Sequence, residues 1–373
     1  MADPFIRSSR PYFSKSDIEK ILQEIKLVLM DGQLRNGKNL KLFQQKATDY
    51  LSIKNAIALD SDVSAFETAL NYYQIKNKEV IVCTNSFISI PNSVLYAGGK
   101  VVFTDINKDT LAMDVKSLKQ KISKNTCGVI LTHIAGFPNP DLEEIKNVCN
   151  ENGFFLIEDA THALGASVNG RKVGTFGDAS VFAFTPTKVI TTGEGGMLAT
   201  NDDEMAEYAK LYSYYGSGPG KTNFERLGRH MLMPEISAIV GINQLSHADE
   251  FVKTRNQIAK AYNQAFAEID GLSVIESPKG MYCSYYKYPL TLSKKLNKDL
   301  FAKNLKTKGV ETGTVFYPPC HMQPFYQKLN PDSSHFSVAE DVLARTITLP
   351  MHSALSDVEV STVIKSVQQA VDA

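Results

Sequence analysis

Short apolar runs alternate with helical patterns between Ala56 and Thr200, and this alternation restricts the fold more than any other feature. Six runs have the length and composition of buried strands, at residues 56–59, 80–83, 101–103, 128–131, 154–157 and 181–184. Strands that are apolar throughout, with helices between them, are typical of a sheet covered on both faces. The pattern predicts an α/β fold with a mixed, mostly parallel sheet.

The sequence before the first strand is helical in character. Ser16 and Glu19 have the spacing of a capping box, and the apolar residues that follow at helical spacing predict a first helix over about residues 16–30. A second helix follows a glycine-bracketed turn and carries Leu40, Phe43 and Leu51. We therefore expect two helices before the sheet begins.

Beyond the sheet the patterns are mainly helical, near 201–215, 234–270, 298–308 and 356–371. A tyrosine-rich strand at 285–292 lies among them, which indicates a small α+β domain at the end of the chain. We predict an N-terminal helical segment, a large α/β domain and a smaller α+β domain, over residues 1–54, 55–250 and 251–373.

A lysine follows the last of the six strands. The strand ends at Thr185, Lys188 comes three residues later, and a glycine-rich turn leads to a second apolar run at 197–200. Burial disfavours the ammonium form of a lysine, and a lysine with a depressed pKa is the usual nucleophile toward an aldehyde cofactor. The alternative is a surface lysine in a βα loop.

An aspartate follows the preceding strand. Asp159 comes just past residues 154–157, where open α/β sheets bind ligands, and His162 follows it by three residues. A carboxylate in that place can hold the protonated ring nitrogen of a pyridine cofactor. The alternative for Asp159 is a helix N-cap. Lys188 comes 29 residues after Asp159. A strand followed by this aspartate and histidine, and then a strand followed by this lysine and a glycine-rich turn, is not expected to occur by chance.

Composition excludes several classes of protein. The 40 basic and 40 acidic side chains cancel, so no net charge favours nucleic acid or an anionic membrane as a partner. No apolar run approaches the roughly 18 residues of a membrane span, and no apolar signal sequence begins the chain. The five cysteines lack metal-site spacing, and no other metal motif is present. We expect a cytoplasmic globular protein with free thiols and no metal.

Several long motifs are distributed over nearly the whole chain, at residues 32–37, 157–165, 184–196, 233–241, 317–326 and 349–356. In sequence and in order they resemble the motifs of the DegT/DnrJ/EryC1/StrS family of PLP-dependent sugar aminotransferases, where PLP is pyridoxal 5′-phosphate. The resemblance implies the type I aminotransferase fold, with a large α/β domain and a smaller α+β C-terminal domain. It also implies PLP as the cofactor.

The resemblance assigns roles to four residues that would hold the cofactor's ring. Lys188 would form the internal aldimine and then carry the proton during transamination. Asp159 would hold the pyridinium nitrogen, and His162 would lie near the ring oxygen. Phe87 matches the aromatic residue that stacks on the ring, although an ordinary core phenylalanine fits the same pattern.

The phosphate site departs from the family. The usual Ser-Gly-Thr at a helix N-terminus is replaced by Ser61, Asp62 and Val63, with Ser64 following. Asp62 brings a negative charge toward a phosphate, and its carboxylate can cap the N–H groups that a phosphate would use. Val63 has no hydroxyl group. The sequence leaves open whether the pocket is rebuilt or abandoned.

Two further family contacts to the phosphate are changed. A serine is replaced by Ala183, and the asparagine that a partner subunit usually contributes is replaced by His230. Ser64, Thr185, His230 and Arg229 are candidates for replacement donors. The family builds its active site at a two-fold interface, so the resemblance implies a homodimer.

The family's substrate side also has counterparts in this chain. Tyr317 opens a family-like loop that includes His321, and His133 matches a substrate-side position at a strand end. For both histidines a structural role is the alternative to substrate contact. The sequence does not identify the sugar, the ring carbon or the nucleotide.

The leading hypothesis is an aminotransferase that acts on a nucleotide-linked keto-sugar in amino-sugar and surface-polysaccharide biosynthesis, with glutamate as donor. A dehydratase of the same family is disfavoured, because the resemblance implies that such members replace the lysine with histidine and Lys188 is present. The remaining alternative is a family member that has lost or changed its use of PLP. Such a protein would act on another ligand or serve as a binding or regulatory protein.

Overall fold

The computed structural model describes residues 5–218, 222–329 and 335–371. Its helices are α1 Lys15–Asp31, α2 Lys38–Leu51, α3 Asp62–Tyr72, α4 Ser89–Tyr96, α5 Val115–Lys121, α6 Leu142–Asn152, α7 Asp203–Tyr212, α8 Glu235–Ser246, α9 Ala248–Phe266, α10 Lys298–Thr307, α11 Pro324–Leu329, α12 Ser337–Ala344 and α13 Asp357–Val371. Its strands are β1 Asn55–Leu59, β2 Glu79–Cys83, β3 Lys100–Thr104, β4 Thr126–Thr132, β5 Phe155–Asp159, β6 Ser167–Val168, β7 Arg171–Lys172, β8 Ala179–Ala183, β9 Gly196–Thr200, β10 Leu272–Val274, β11 Met281–Tyr282, β12 Tyr288–Leu292 and β13 Thr346–Leu349.

A seven-stranded sheet forms the centre of the large domain, in the order β1-β9-β8-β5-β4-β2-β3. Strand β9 runs antiparallel to both of its neighbours, and the remaining pairs are parallel. The six strands predicted from the apolar runs are all present, as β1 to β5 and β8. Apolar clusters pack on the sheet with its covering helices, which confirms the predicted α/β class with a mixed, mostly parallel sheet.

The C-terminal part contains a second, antiparallel sheet of three strands, in the order β10-β12-β13. Helices α9, α10 and α13 pack with it around a separate apolar cluster. This is the smaller α+β unit that the sequence predicts. The exact division at residues 54/55 and 250/251 stays a prediction, and the second of these junctions lies near the start of α9.

Two local expectations were wrong. The capping box at the start of α1 uses Ser14 and Asp17, since the Ser14 hydroxyl accepts from Asp17 N at 3.1 Å and the Asp17 carboxylate accepts from Ser14 N at 3.2 Å. The helical pattern predicted over 234–270 is divided into α8 and α9 at His247, whose backbone leaves helical geometry at φ −105° and ψ 2°. Within the described residues, no helix is long and apolar enough to cross a membrane.

The carboxyl ends of the parallel strands meet at one edge of the large sheet. Thr132 at the end of β4 pairs in register with Asp159 at the end of β5, and Asp159 pairs with Val181 of β8. The chain leaves β8 at Ala183 and returns in β9 at Gly196. Loops that carry the predicted site residues therefore start from adjacent strand ends.

Candidate active site

Lys188 lies on the loop that joins β8 to β9. The base of this loop is closed by a hydrogen bond from Phe184 N to Gly195 O at 2.8 Å, and Lys188 N donates to Thr185 O at 3.1 Å. The loop turns at Gly193, whose φ of +83° is strained for residues with a β-carbon. The lysine is thus held by a closed turn at the carboxyl edge of the sheet.

Asp159 is buried at the end of β5, with 1% of its surface exposed. Its Oδ1 accepts from Thr161 N at 3.1 Å, and Oδ2 has no hydrogen-bond partner in the described part of the chain. Burial raises the pKa of Asp159 above its usual value, although the Thr161 hydrogen bond and the charge of Lys188 act against this shift. No helix follows Asp159, so the N-cap alternative does not apply. A cationic N–H group at Oδ2 would stabilise this carboxylate.

His162 is a neutral hydrogen-bond donor in this structure. Burial, with the charges of Lys188 and Lys287, holds the pKa of His162 well below its usual value. Its Nδ1 accepts from Ala135 N at 3.3 Å, and in a neutral imidazole the proton is then on Nε2. The ring therefore offers an N–H group, and not a positive charge, to a ligand.

The His162 ring belongs to an aromatic platform with Tyr286 and Phe316, at centroid distances of 4.2 Å and 5.5 Å from His162. The Lys188 amine lies 4.7 Å from the centroid of Tyr286. Phe87 lies 5.6 Å from Phe316, and 51% of its surface is exposed. Phe87 is therefore not an ordinary core residue, and its ring is available for stacking with a ligand.

The sequence did not single out Tyr286, Phe316 or Lys287. Tyr286 donates to or accepts from Thr187 Oγ1 at 3.1 Å, and Lys287 reaches the rings of Tyr286 and Phe316. Burial would raise the pKa of Tyr286, but the charges of Lys188 and Lys287 lower it below its usual value. The available signal was the tyrosine-rich run at 285–288. The sequence assigns all of it to a strand, whereas in the structure residues 285–287 precede β12, which begins at Tyr288.

The predicted phosphate residues lie at the N-terminus of α3. Ser61 is the N-cap and accepts from Ser64 N at 3.1 Å, while the Ser64 hydroxyl donates to Asp60 at 2.5 Å. The Asp62 carboxylate accepts from Ser89 Oγ at 3.3 Å. Both the N–H and the hydroxyl of Ser64 are thus used within the protein, which argues against Ser64 as a replacement donor. The described residues provide no acceptor for the N–H groups of Asp62 and Val63.

Two neighbouring strands approach this helix start. Ala183, at the end of β8, is paired with Gly196, and a β-carbon on Gly196 would lie 2.2 Å from the backbone carbon of Ser61. The close approach requires glycine at this position and brings the Lys188 loop against the start of α3. Ala183 supplies no polar side chain there.

His230 lies on an exposed segment beside β1. It is stacked on Tyr215 at 5.0 Å, and the next residue, Met231, accepts from Asp60 N at 3.1 Å. The ring is exposed, and no hydrogen bond to the pocket residues is formed within the described chain. Its predicted contribution to a neighbour's cofactor stays a proposal.

The two histidines predicted on the substrate side are both occupied by the protein. His133 is fully buried, with Nε2 at 3.1 Å from Glu158 and Nδ1 accepting from Asn139 N at 3.1 Å. The Glu158 carboxylate also accepts from backbone N–H groups of the 174–177 turn. These contacts favour the structural alternative for His133.

His321 has the same character. Its Nδ1 lies 2.6 Å from Thr84 Oγ1 and its Nε2 lies 3.1 Å from Glu340. Tyr317 differs, because its ring is partly exposed and lies 4.4 Å from the Lys298 amine. Of the three predicted substrate residues, Tyr317 is thus the one that a ligand can still contact.

In the described residues, no group of three or more histidine, cysteine, aspartate or glutamate side chains is arranged to hold a metal ion. What converges instead is a lysine amine, a buried carboxylate, a neutral imidazole and an exposed aromatic ring. This combination suits an aromatic, nitrogen-containing ligand that reacts with an amine.

Comparison with known proteins identifies the family of this chain. The model of the DegT/DnrJ/EryC1/StrS aminotransferase family matches residues 15–368. An uncharacterized protein of Methanocaldococcus jannaschii, MJ1066, is 33% identical, with 99% of this chain and 98% of the relative covered. GDP-perosamine synthase of Vibrio cholerae is 30% identical, with 89% of this chain and 90% of that enzyme covered.

A solved structure has the same fold. PseC of Helicobacter pylori, an aminotransferase involved in the biosynthesis of pseudoaminic acid, superposes with a TM-score of 0.93 over 99% of each chain at 27% identity. The fold is therefore that of the PLP-dependent aminotransferases, as the sequence predicts. With the family match over most of its length, the chain belongs to the DegT/DnrJ/EryC1/StrS aminotransferase family and is a transferase.

Proposed function

We propose that this protein transfers an amino group from glutamate to a nucleotide-linked keto-sugar, with PLP as cofactor, in amino-sugar and surface-polysaccharide biosynthesis. The observation that carries the proposal is the buried carboxylate oxygen Oδ2 of Asp159, which has no hydrogen-bond partner among the described residues and lies at the sheet edge from which the Lys188 loop starts. The relatives support the substrate class, since one is GDP-perosamine synthase and another takes part in pseudoaminic acid biosynthesis.

The residues present fit the ring of PLP. Asp159 Oδ2 is buried without a partner and would accept the proton of the pyridinium nitrogen. The Nε2–H group of His162 would donate to the ring oxygen, and the exposed ring of Phe87 would stack on the cofactor. When bound, the cofactor supplies an electron sink for the carbon that carries the transferred nitrogen.

Lys188 has two tasks in this proposal. Its amine would hold the cofactor through the aldehyde carbon, and the same amine would carry a proton to or from the carbon that bears the transferred nitrogen. The closed 184–195 loop keeps this amine close to Tyr286. Asp159 would hold the ring nitrogen in its protonated form.

The phosphate end fits less well, and this favours the second candidate function. Asp62 would face a phosphate with a carboxylate, and Ala183 and Val63 offer it no hydroxyl. The free N–H groups of Asp62 and Val63 are the donors that remain. If they do not suffice, the protein acts on another ligand or serves as a binding or regulatory protein.

We also infer that the protein is a homodimer. Six apolar side chains near α1, α2 and α8 are substantially exposed: Ile18, Leu22, Leu29, Met30, Leu34 and Leu42. Contiguous apolar patches on a soluble protein mark interaction sites, and two-fold symmetric dimers are the commonest assemblies. In a dimer, His230 would be available to the neighbouring site.

The first experiment adds PLP to purified wild type and to Lys188→Ala, then records visible absorbance and reduces with borohydride. Wild type should show a visible band, and mass spectrometry should find the reduced cofactor on Lys188. Lys188→Ala should show neither and should transfer no amino group from glutamate to keto-sugar nucleotides. Absence of the band in wild type at high PLP would refute this function and favour the second candidate.

A further inference from the structure

Lys287 is a second lysine at the aromatic platform. It precedes β12, and its ammonium group lies 5.7 Å from the centroid of Tyr286 and 5.1 Å from that of Phe316. The amine of Lys188 lies over the same Tyr286 ring, at 4.7 Å. Two primary amines therefore share one platform, and the proposed chemistry uses one of them.

Among the described residues, Lys287 has one hydrogen-bond partner, and that partner is not acidic. Its Nζ donates to the carbonyl oxygen of Thr314 at 2.7 Å, and no carboxylate of the described residues lies within 4.0 Å of it. An ammonium group carries three donors, so two remain for a ligand. Burial and the charge of Lys188 lower the pKa of Lys287, and an anion beside it would offset both effects.

Among the neighbouring groups, Tyr286 is the one whose charge interaction raises the pKa of Lys287, and no carboxylate of the described residues supplies a negative charge there. His162 is neutral, as its depressed pKa and its contact with Ala135 N indicate. The carboxylate of Asp159 is assigned to the ring nitrogen of the cofactor. Lys287 is therefore the cation of the platform that is free to bind the anionic group of a substrate.

We propose that Lys287 binds the α-carboxylate of the amino-acid donor. The assignment rests on the proposed function and adds the residue that recognises the donor. An α-carboxylate is attached to the carbon that carries the reacting nitrogen, so its binding group must lie near Lys188. The diphosphate of a nucleotide-linked sugar is separated from a ring ketone by the sugar ring and lies farther from the reacting atoms.

The test measures the two half-reactions of the holoenzyme separately, through the absorbance of the bound cofactor. Lys287→Met should lower kcat/KM for L-glutamate by roughly 10- to 100-fold, as expected for the loss of a charged hydrogen bond. Lys287→Arg should keep most of the activity. The second half-reaction, with a keto-sugar nucleotide, should be unchanged, because it involves no donor carboxylate.

A modified donor separates recognition from folding. The α-amide of L-glutamate has no α-carboxylate charge, so it should react slowly with wild type and no more slowly with Lys287→Met. Lys172→Met is the matched control, because Lys172 also lies on an aromatic ring, 3.9 Å from that of Tyr50, but outside the site. It should leave both half-reactions unchanged.

Several outcomes would overturn the assignment. These are an unchanged reaction with glutamate, an equal loss in both half-reactions, and a loss confined to the keto-sugar step, which would assign Lys287 to the diphosphate. If wild type carries no cofactor on Lys188, the proposed function fails separately. Calorimetric titration of the cofactor-free protein with L-glutamate then decides: weaker binding by Lys287→Met supports the assignment, and equal binding refutes it.

Discussion

Asp62 is the residue by which we expect this pocket to differ most from the family's pattern. Two unit charges about 4 Å apart near a protein surface interact with about 4 kcal/mol, so a carboxylate beside a phosphate is a large unfavourable contribution. The unused N–H groups of Asp62 and Val63, with the positive end of the α3 dipole, act in the opposite direction. The affinity for PLP depends on the balance of these two effects.

Replacing Asp62 and Val63 by the family's residues should tighten binding. The double variant Asp62→Gly, Val63→Thr should lower the dissociation constant of PLP by about 10- to 100-fold, since it removes the repulsion and adds a hydroxyl donor. Pyridoxal, which lacks the phosphate, should bind both proteins equally. Absorbance titration measures both constants.

Asp357→Gly serves as the control for this double variant. Asp357 is also the first residue of a helix, α13, but lies outside the pocket. It should leave the affinity for PLP unchanged. An unaltered or weaker affinity in the Asp62→Gly, Val63→Thr protein would mean that the Asp62 carboxylate does not oppose the phosphate.

At the scale of elements, one side chain connects α2 to α8. Glu235 is 1% exposed, and its carboxylate accepts from the backbone N–H groups of Gly37, Asn39 and Leu40 at 2.8–3.0 Å. Gly37, the N-cap of α2, makes no side-chain cap of its own. The N-terminal turn of α2 is therefore capped by a side chain that is 195 to 198 residues distant in sequence.

Glu235→Ala should destabilise this connection. It leaves buried N–H groups without an acceptor, at about 1–3 kcal/mol each, and amide hydrogen exchange at Gly37, Asn39 and Leu40 should accelerate. Glu235→Gln should have a smaller effect because one acceptor oxygen remains. Glu19→Ala, on the exposed face of α1, is the control and should have none. Unchanged exchange in Glu235→Ala would show that the cap contributes nothing to stability.

The sequence predicted what depends on local pattern. The strands β1 to β5 and β8 each contain a continuous apolar run, because both faces of the sheet are covered, and their positions were accordingly clear. The capping box was shifted by two residues because Ser14/Asp17 and Ser16/Glu19 have the same spacing, and only packing selects between them. The break between α8 and α9 at His247 does not interrupt the apolar periodicity, so the sequence pattern did not predict it.

The sequence also singled out part of the candidate site, for a similar reason. Lys188, Asp159 and His162 lie in long motifs beside strand ends, Phe87 follows β2, and the structure brings their loops to one sheet edge. Lys287 directly precedes β12, a strand of the smaller α+β unit. From sequence alone, a lysine in a tyrosine-rich run is expected to face solvent. Its proximity to Lys188 arises from the folding of distant segments together, which no local pattern contains.

At the scale of the whole molecule, α1 has apolar side chains that the described residues of one chain leave exposed. Ile21 and Val28 pack against Ile239 of α8. A second stripe faces outward at helical spacing and is substantially exposed, with Ile18, Leu22 and Leu29 at 46%, 59% and 58%. Two apolar stripes on one surface helix are explained if a second copy of the chain covers the outer one.

The combined variant Leu22→Asp, Leu29→Asp should therefore be monomeric where wild type is a dimer, because it places two charges at the interface. Sedimentation at matched concentration measures the mass of each. Val358→Asp is the control, since Val358 is 76% exposed on α13 and outside this surface. It should remain dimeric. If wild type sediments with the mass of one chain, the homodimer is refuted. If the double variant is still a dimer, the interface does not include the exposed face of α1.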